Sequence, residues 1–274
     1  MLSASSVTNT GATVLNGNLG LFPGTSITGA GTIALTGATF NDDAAAQQAE
    51  IDATNAFHIL MALPSTDNLT GQNLGGLTLT PGVYEFSSSA QLTGALTLNF
   101  EGESDKDIVI QIGSTLTTAA GATVKVENGN STDGVFYEVG SSATLGAGTV
   151  FAGNILASAS ITLGSAAEDL CGRTIALTGA VTMIGNTISN NCFGAGAEGS
   201  GISDFSSVGF SGGDFISAGY TGGGFNGVPP AVAITPTPTT EPASLALFGF
   251  GLIGVSGAVR RRRKSAQAPA IAKL

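Results

Sequence analysis

One tetrapeptide pattern constrains this chain more than any other feature. Gly76-Leu77-Thr78-Leu79, Ala95-Leu96-Thr97-Leu98, Thr115-Leu116-Thr117-Thr118, Ser142-Ala143-Thr144-Leu145, Ser160-Ile161-Thr162-Leu163 and Ala180-Val181-Thr182-Met183 each read small, apolar, Thr, mostly apolar. Their threonines follow one another at steps of 19, 20, 27, 18 and 20 residues. A recurring period near twenty is the mark of a stacked repeat, in which no single unit can bury its own apolar face. Alternation along a strand sends one set of side chains inward and leaves Thr and its small neighbour outward. A second repeat lies between these strands. Ile108-Val109-Ile110-Gln111-Ile112 matches Val135-Phe136-Tyr137-Glu138-Val139, and each is followed by Gly-Ser. The simplest reading is an all-β solenoid with coils of about twenty residues.

One segment breaks the pattern. Asn41-Asp42-Asp43 supplies a helix cap and N-terminal acids, AAAQQAEIDATNAFHILMAL follows, and Pro64 stops it. Ala49, Ala53, Phe57 and Leu60/Met61 fall on one stripe. The expectation is a long α-helix over about 42–63, packed along one face of the stack. His58 lies beside that stripe and reads as a surface or edge residue.

Charge divides the chain. Of 19 acids and 9 bases, residues 1–234 hold 18 acids and three bases, while 235–274 hold one acid and six bases. Five of those bases are consecutive, Arg260, Arg261, Arg262, Arg263 and Lys264. Three bases in 234 residues exclude a nucleic-acid-binding stripe and disfavour an enzyme that grips uronates. One His excludes a multi-histidine metal centre, and no nucleophile, base and orienter set stands out. The expectation is a non-enzyme without metal or cofactor. Glu101-Gly102-Glu103-Ser104-Asp105-Lys106-Asp107 carries alternating carboxylates but lacks the pattern of a dedicated Ca²⁺ loop, so it reads as a solvated hairpin tip.

Composition sets the boundaries. Residues 1–192 form the repeat block, and 193–239 are a Gly/Ser-rich, then Pro/Thr-rich linker. Within that linker Phe205, Phe210, Phe215, Tyr220 and Phe225 recur every five residues, too few units to stand as a domain. Residues 243–259 (ASLALFGFGLIGVSGAV) are apolar and uncharged. Seventeen such residues give about 25 Å of helix against a hydrocarbon core of about 30 Å, enough for a short transmembrane helix. The bases after it would stay cytoplasmic. Residues 265–274 are a tail.

Two resemblances add to this. LTGQNLGGLTLTPGVYEFSSSAQLTGALTLNFEGESDKDIVIQIGSTLTTAAGATV resembles the ice-binding-protein-like family of secreted microbial proteins. So do GSSATLGAGTVFAGNILASASITLGSAAEDLCGRTIALTGAVTMIGNTI and VTNTGATVLNGNLGLFPGTSITG. The likeness covers about 6–190 and implies a β-solenoid of roughly triangular section, a helix alongside, coils out of strict sequence order, and ice binding through one flat face. Thr240-Glu241-Pro242, the apolar run and the Arg cluster resemble a PEP-CTERM sorting signal over 240–264. Thr-Glu-Pro stands there in place of Pro-Glu-Pro. That resemblance implies an exosortase partner, transient membrane anchoring and a place at the cell surface or in matrix. Met1-Leu2-Ser3-Ala4-Ser5 lacks the basic and apolar regions of a signal peptide, so the expectation is that the true start lies upstream.

Two faces compete for the ice-binding role. The first is Ala95/Thr97, Thr115/Thr117, Ser142/Thr144, Ser160/Thr162 and Ala180/Thr182, which would form a lattice of methyls and hydroxyls against ice or ordered water. The rival follows a Thr–Ala/Gly–any–Thr/Asn motif. Thr10-Gly11-Ala12-Thr13 and Thr36-Gly37-Ala38-Thr39 match in full, and the segments ending at Thr123, Thr149 and Thr187 match in part. The rival positions could instead be corners, where Gly serves a turn. The same scaffold could also serve as a structural or adhesive surface module with no ice activity. Cys171 and Cys192 lie 21 residues apart, about one coil, which permits a disulfide in an exported protein.

Overall fold

The computed structural model describes residues 1–130 and 132–190. Within them, three sheets of nine, seven and eight strands enclose one core, and every strand pair is parallel. The chain passes from sheet to sheet around each coil, so the ladder bonds of each inner strand run to the coils above and below. The two matched segments stack residue for residue, Ile108 on Val135 through Ile112 on Val139. Ile108, Ile110 and Ile112 point inward with Val135, Tyr137 and Val139, and none of the six is exposed.

The coils are not stacked in chain order. In the nine-stranded sheet the order runs Thr39–Asn41, Leu19–Leu21, Leu2–Ser3, Thr174–Ala176, Asn154–Ala157, Gly134–Val139, Asp107–Ile112, Gly82–Phe86, Asp67–Asn68. The chain starts in mid-stack, climbs to one end, crosses to the other, and returns to close against its own first strand. The crossing is made by the helix Ala44–Met61. Its 18 residues span about 27 Å, or five to six strand spacings.

The helix begins where an acceptor is available. The Asp43 carboxylate accepts from the Ala46 N–H at 2.8 Å, which satisfies one of the donors that a helix N-terminus leaves open. Ala49, Ala53, Phe57 and Leu60 pack on Leu2, Val109, Leu156 and Ile175 of the nine-stranded sheet. Met61 is 53% exposed and so leaves the expected stripe. His58 is exposed. At the far end, Gln111 Nε2 donates to the Leu60 and Leu63 carbonyls at 2.7 and 2.9 Å, tying the last turn to the sheet. Gln111→Ala should therefore cost about 1–3 kcal/mol in denaturant unfolding, because it strands the buried Leu63 carbonyl and leaves the Leu60 carbonyl only the 3.3 Å bond from the Leu63 N–H.

The same interface buries acids. Glu50 is 8% exposed and Glu138 is 4% exposed. Burial raises the Glu50 carboxyl to about 8 and the Glu138 carboxyl to about 7. A carboxyl whose folded-state pKa is raised stabilises the fold below its unfolded pKa and loses that contribution as pH rises through the folded value. For Glu50 the window runs from about 4.5 to about 8. Near pH 9, Glu50→Gln should melt at a higher temperature than wild type, and the gap should close towards pH 5 in thermal melts followed by circular dichroism.

Candidate functional site

On six of its seven strands, the seven-stranded sheet places one threonine per coil on a single line. Cα partners run Gln91, Thr117, Thr144, Thr162, Thr182, Thr8 and Thr28. Two residues earlier on each strand stand Ser89, Thr115, Ser142, Ser160, Ala180, Ser6 and Ser26. Successive strands lie about 4.7–4.9 Å apart and the two columns about 6.6–6.8 Å apart, so the sheet presents a lattice about 29 Å long. Both columns are free of Asp, Glu, Lys, Arg and His.

The columns differ in what their hydroxyls do. Thr115 Oγ1 donates to Ser89 Oγ at 2.9 Å. Ser142 Oγ accepts from the Ser160 N–H at 3.3 Å, and Ser160 Oγ accepts from the Ala180 N–H at 3.1 Å. That column therefore spends hydroxyls on the coil-to-coil contact. Among the described residues, the side chains of Thr117, Thr144, Thr162, Thr182, Thr8 and Thr28 make no hydrogen bond to the protein. Their hydroxyls are left to solvent, on side chains stiff at χ1.

Ala95 and Thr97 do not join this face. They lie on Ala95–Asn99 of the eight-stranded sheet, where Thr97 pairs with Thr78 and Lys125. The reason is coil length. The loops at Glu101–Lys106 and Asn128–Asp133 lengthen their coils, so Ile110 follows Tyr84 by 26 residues and Tyr137 follows Ile110 by 27. A twenty-residue step from Thr97 to Thr117 then changes sheet. Six residues of the face, Ser6, Thr8, Ser26, Thr28, Ser89 and Gln91, were not among those expected. Ser6-Val7-Thr8 and Ser26-Ile27-Thr28 carry the same small–apolar–Thr pattern that marks the others.

The rival set does not form one face. Thr13 is 1% exposed and Thr149 is 0% exposed, both at corners between the seven- and eight-stranded sheets. Thr123 and Thr187 are partly buried on the eight-stranded sheet. Thr10 ends a strand of the seven-stranded sheet, Thr36 sits at another corner, and Thr39 is on the nine-stranded sheet. Most of the motif's glycines serve the turn: Gly11, Gly121, Gly148 and Gly185 have positive φ, and Gly37 does not. Thr149 Oγ1 bonds Thr118 Oγ1 at 2.7 Å.

Among the described residues, the other two sheets offer no comparable surface. One lies under the helix, and the eight-stranded sheet carries Lys125, Glu127 and Glu168. The acidic loop is tied down locally. Lys106 pairs with Glu103 at 3.1 Å, and the Asp133 carboxylate accepts from the Lys106 and Asn130 N–H groups at 3.1 and 2.8 Å. Among the described residues, no three His, Cys, Asp or Glu stand together as a metal site, and no helix is long and apolar enough to cross a membrane. Cys171 is buried and disulfide-bonded. Cys192, the 193–239 linker with its five-residue aromatic spacing, and the 243–259 run with Glu241, Pro242 and Arg260–Arg263 lie outside the described residues.

The family model described as ice-binding-like matches residues 1–189. The chain belongs to the ice-binding-like family. An ice-binding protein of Nostoc sp. (strain HG1) is 50% identical over 193 residues, covering 70% of this chain and 71% of that one. A crystal structure of an ice-binding protein from an Antarctic biological consortium has 42% identity and a TM-score of 0.65, covering 69% of this chain and 86% of that one. One from the Antarctic ascomycete Antarctomyces psychrotrophicus has 38% identity and a TM-score of 0.64, covering 69% of this chain and 92% of that one. A PEP-CTERM protein-sorting motif matches residues 238–263.

The inward and outward positions of the rival motif should part in stability. Thr149→Val removes a buried hydroxyl that joins Thr118 Oγ1 to the Ala119 carbonyl and should cost about 1–3 kcal/mol, whereas Thr187→Val should stay within about 0.5 kcal/mol, both read from chemical denaturation.

Proposed function

We propose that the protein binds ice or ordered water through the seven-stranded sheet and so restrains ice growth or recrystallisation outside the cell. One observation carries the reading: a line of threonines in register, their hydroxyls unspent on the protein, on an uncharged sheet. The two repeats, one along the stack and one along the strand, are comparable in size to those of ice. Each Thr supplies one hydroxyl that can anchor water and one methyl that limits competing hydration. Its restricted χ1 keeps the entropy cost of ordering low. Each contact is weak, and adsorption comes from many engaging at once, which requires the columns to stay in register. The ice-binding relatives and the family match support this role for the chain.

The chemistry is adsorption, and no step calls for a catalytic group or cofactor. The sorting motif supports export, handling by an exosortase-type enzyme, and a final place at the cell surface or in matrix. The apolar run over 243–259 would hold the protein in the membrane before processing. We assign the ice-contacting role to Thr117, Thr144, Thr162, Thr182, Thr8 and Thr28, with Thr115, Ser142, Ser160, Ala180, Ser6 and Ser26 beside them.

Bulk on the face should break the lattice match without touching the core. The full chain carrying Thr144→Tyr and Thr162→Tyr should lose recrystallisation inhibition by about tenfold or more in concentration, while Thr97→Tyr on the eight-stranded sheet should retain it. Equal activity of all three proteins would remove this face from the mechanism.

A further inference from the structure

The threonine line is assembled from two parts of the chain. Gln91 to Thr182 come from coils that follow one another in sequence, but Thr8 and Thr28 come from the N-terminal coils. Between coils 90–182 the chain itself passes from one coil to the next. At the join, Thr187 pairs with Val14, 173 positions earlier, and no short covalent turn sets the alignment.

Buried polar side chains gather at the corner of that join. The inward column of the seven-stranded sheet reads Leu92, Thr118, Leu145, Leu163, Met183, Asn9, so Asn9, like Thr118, is a polar interruption of a mostly apolar line. Asn9 is 5%, Thr13 is 1% and Asn186 is 2% exposed. They form a chain. Asn186 Nδ2 donates to the Gly164 and Ala167 carbonyls at 2.7 and 3.0 Å, and its Oδ1 accepts from the Ile184 N–H. The Asn186 N–H donates to Thr13 Oγ1 at 3.1 Å, and Thr13 Oγ1 donates to Asn9 Oδ1 at 2.6 Å. Asn9 Nδ2 then donates to the Gly11 carbonyl and to Thr32 Oγ1 at 3.0 and 2.9 Å. Thr32 Oγ1 closes on the Gly29 carbonyl at 2.8 Å. The chain spans four adjacent coils, two on each side of the join.

We infer that Asn186, Thr13 and Asn9 are positioning residues that hold the N-terminal part of the threonine face in register with the rest. This rests on the ice-binding role proposed for that face. The corner decides where each strand of the face ends, and those strands are three to five residues long with few ladder bonds of their own. A fixed corner therefore fixes Thr8 and Thr28 against Thr182. Thr13, singled out by the Thr–Gly–any–Thr motif, works from inside the wall instead of touching water on the face.

Thr13→Val tests this, since it keeps the shape and removes the hydroxyl that links Asn186 to Asn9. Thr13→Ser keeps the hydroxyl. Thr32→Val is a milder break at the exposed end of the chain, for use if Thr13→Val does not fold. Recrystallisation inhibition by the full chain is measured for each, alone and combined with Thr8→Tyr or Thr144→Tyr. Thr13→Val should raise the concentration needed by about tenfold and Thr13→Ser by less than about twofold. Thr8→Tyr, costly alone, should add less than about twofold once Thr13→Val or Thr32→Val is present, while Thr144→Tyr should add its full cost in every background. Full additivity of Thr8→Tyr with both corner variants would overturn the inference, as would a silent Thr8→Tyr beside a costly Thr144→Tyr. If both tyrosines are silent in the wild-type background, the face itself is wrong and the inference falls with it.

Discussion

Everything in this molecule depends on backbone hydrogen bonds that run between coils. In a parallel ladder each strand bonds to its neighbours above and below, so a residue in one coil sits over its counterpart in the next at the strand spacing. Inside, that turns Ile, Leu and Val positions into continuous apolar columns. Outside, it turns one threonine per coil into a line. The core and the candidate site are thus two faces of one constraint, and a shift of one residue would exchange them.

The non-sequential stacking adds a second demand. The chain starts in mid-stack and must return to its own first strand, and the helix Ala44–Met61 makes the crossing. Its cap at Asp43 and its tie at Gln111 fix both ends, and alanines and Phe57 seat it on the nine-stranded sheet. That covers one outer face. Charge on the eight-stranded sheet marks the second, and among the described residues the third is left uncharged and uncovered. The proposed site is therefore what the packing of the other two faces leaves over.

Much of this was legible in the sequence. Small–apolar–Thr repeats and the matched pair at 108–112 and 135–139 reveal stacking because strand alternation and coil register both survive in the residue pattern. The helix was legible from its cap, its stripe and Pro64. The register of the face was only partly legible. Thr97 fits the same tetrapeptide as Thr117 and a twenty-residue step, yet the loop at Glu101–Lys106 lengthens its coil, so Thr97 stacks on Lys125 in another sheet. The place of the N-terminal coils followed from resemblance alone, since no local pattern says that Val14 will meet Thr187. Nor does spacing tell an outward threonine from one turned into a corner. Thr149 and Thr187 share a motif position, and burial alone separates them.

The central claim is that one of three faces meets ice. Uptake of the full chain into slowly growing ice measures this directly, with one tyrosine placed on each face: Thr117→Tyr on the threonine line, Lys125→Tyr on the eight-stranded sheet, Ile51→Tyr on the exposed side of the helix. Loss of uptake confined to Thr117→Tyr is the predicted result. Loss with Lys125→Tyr or Ile51→Tyr and normal uptake with Thr117→Tyr would contradict the account.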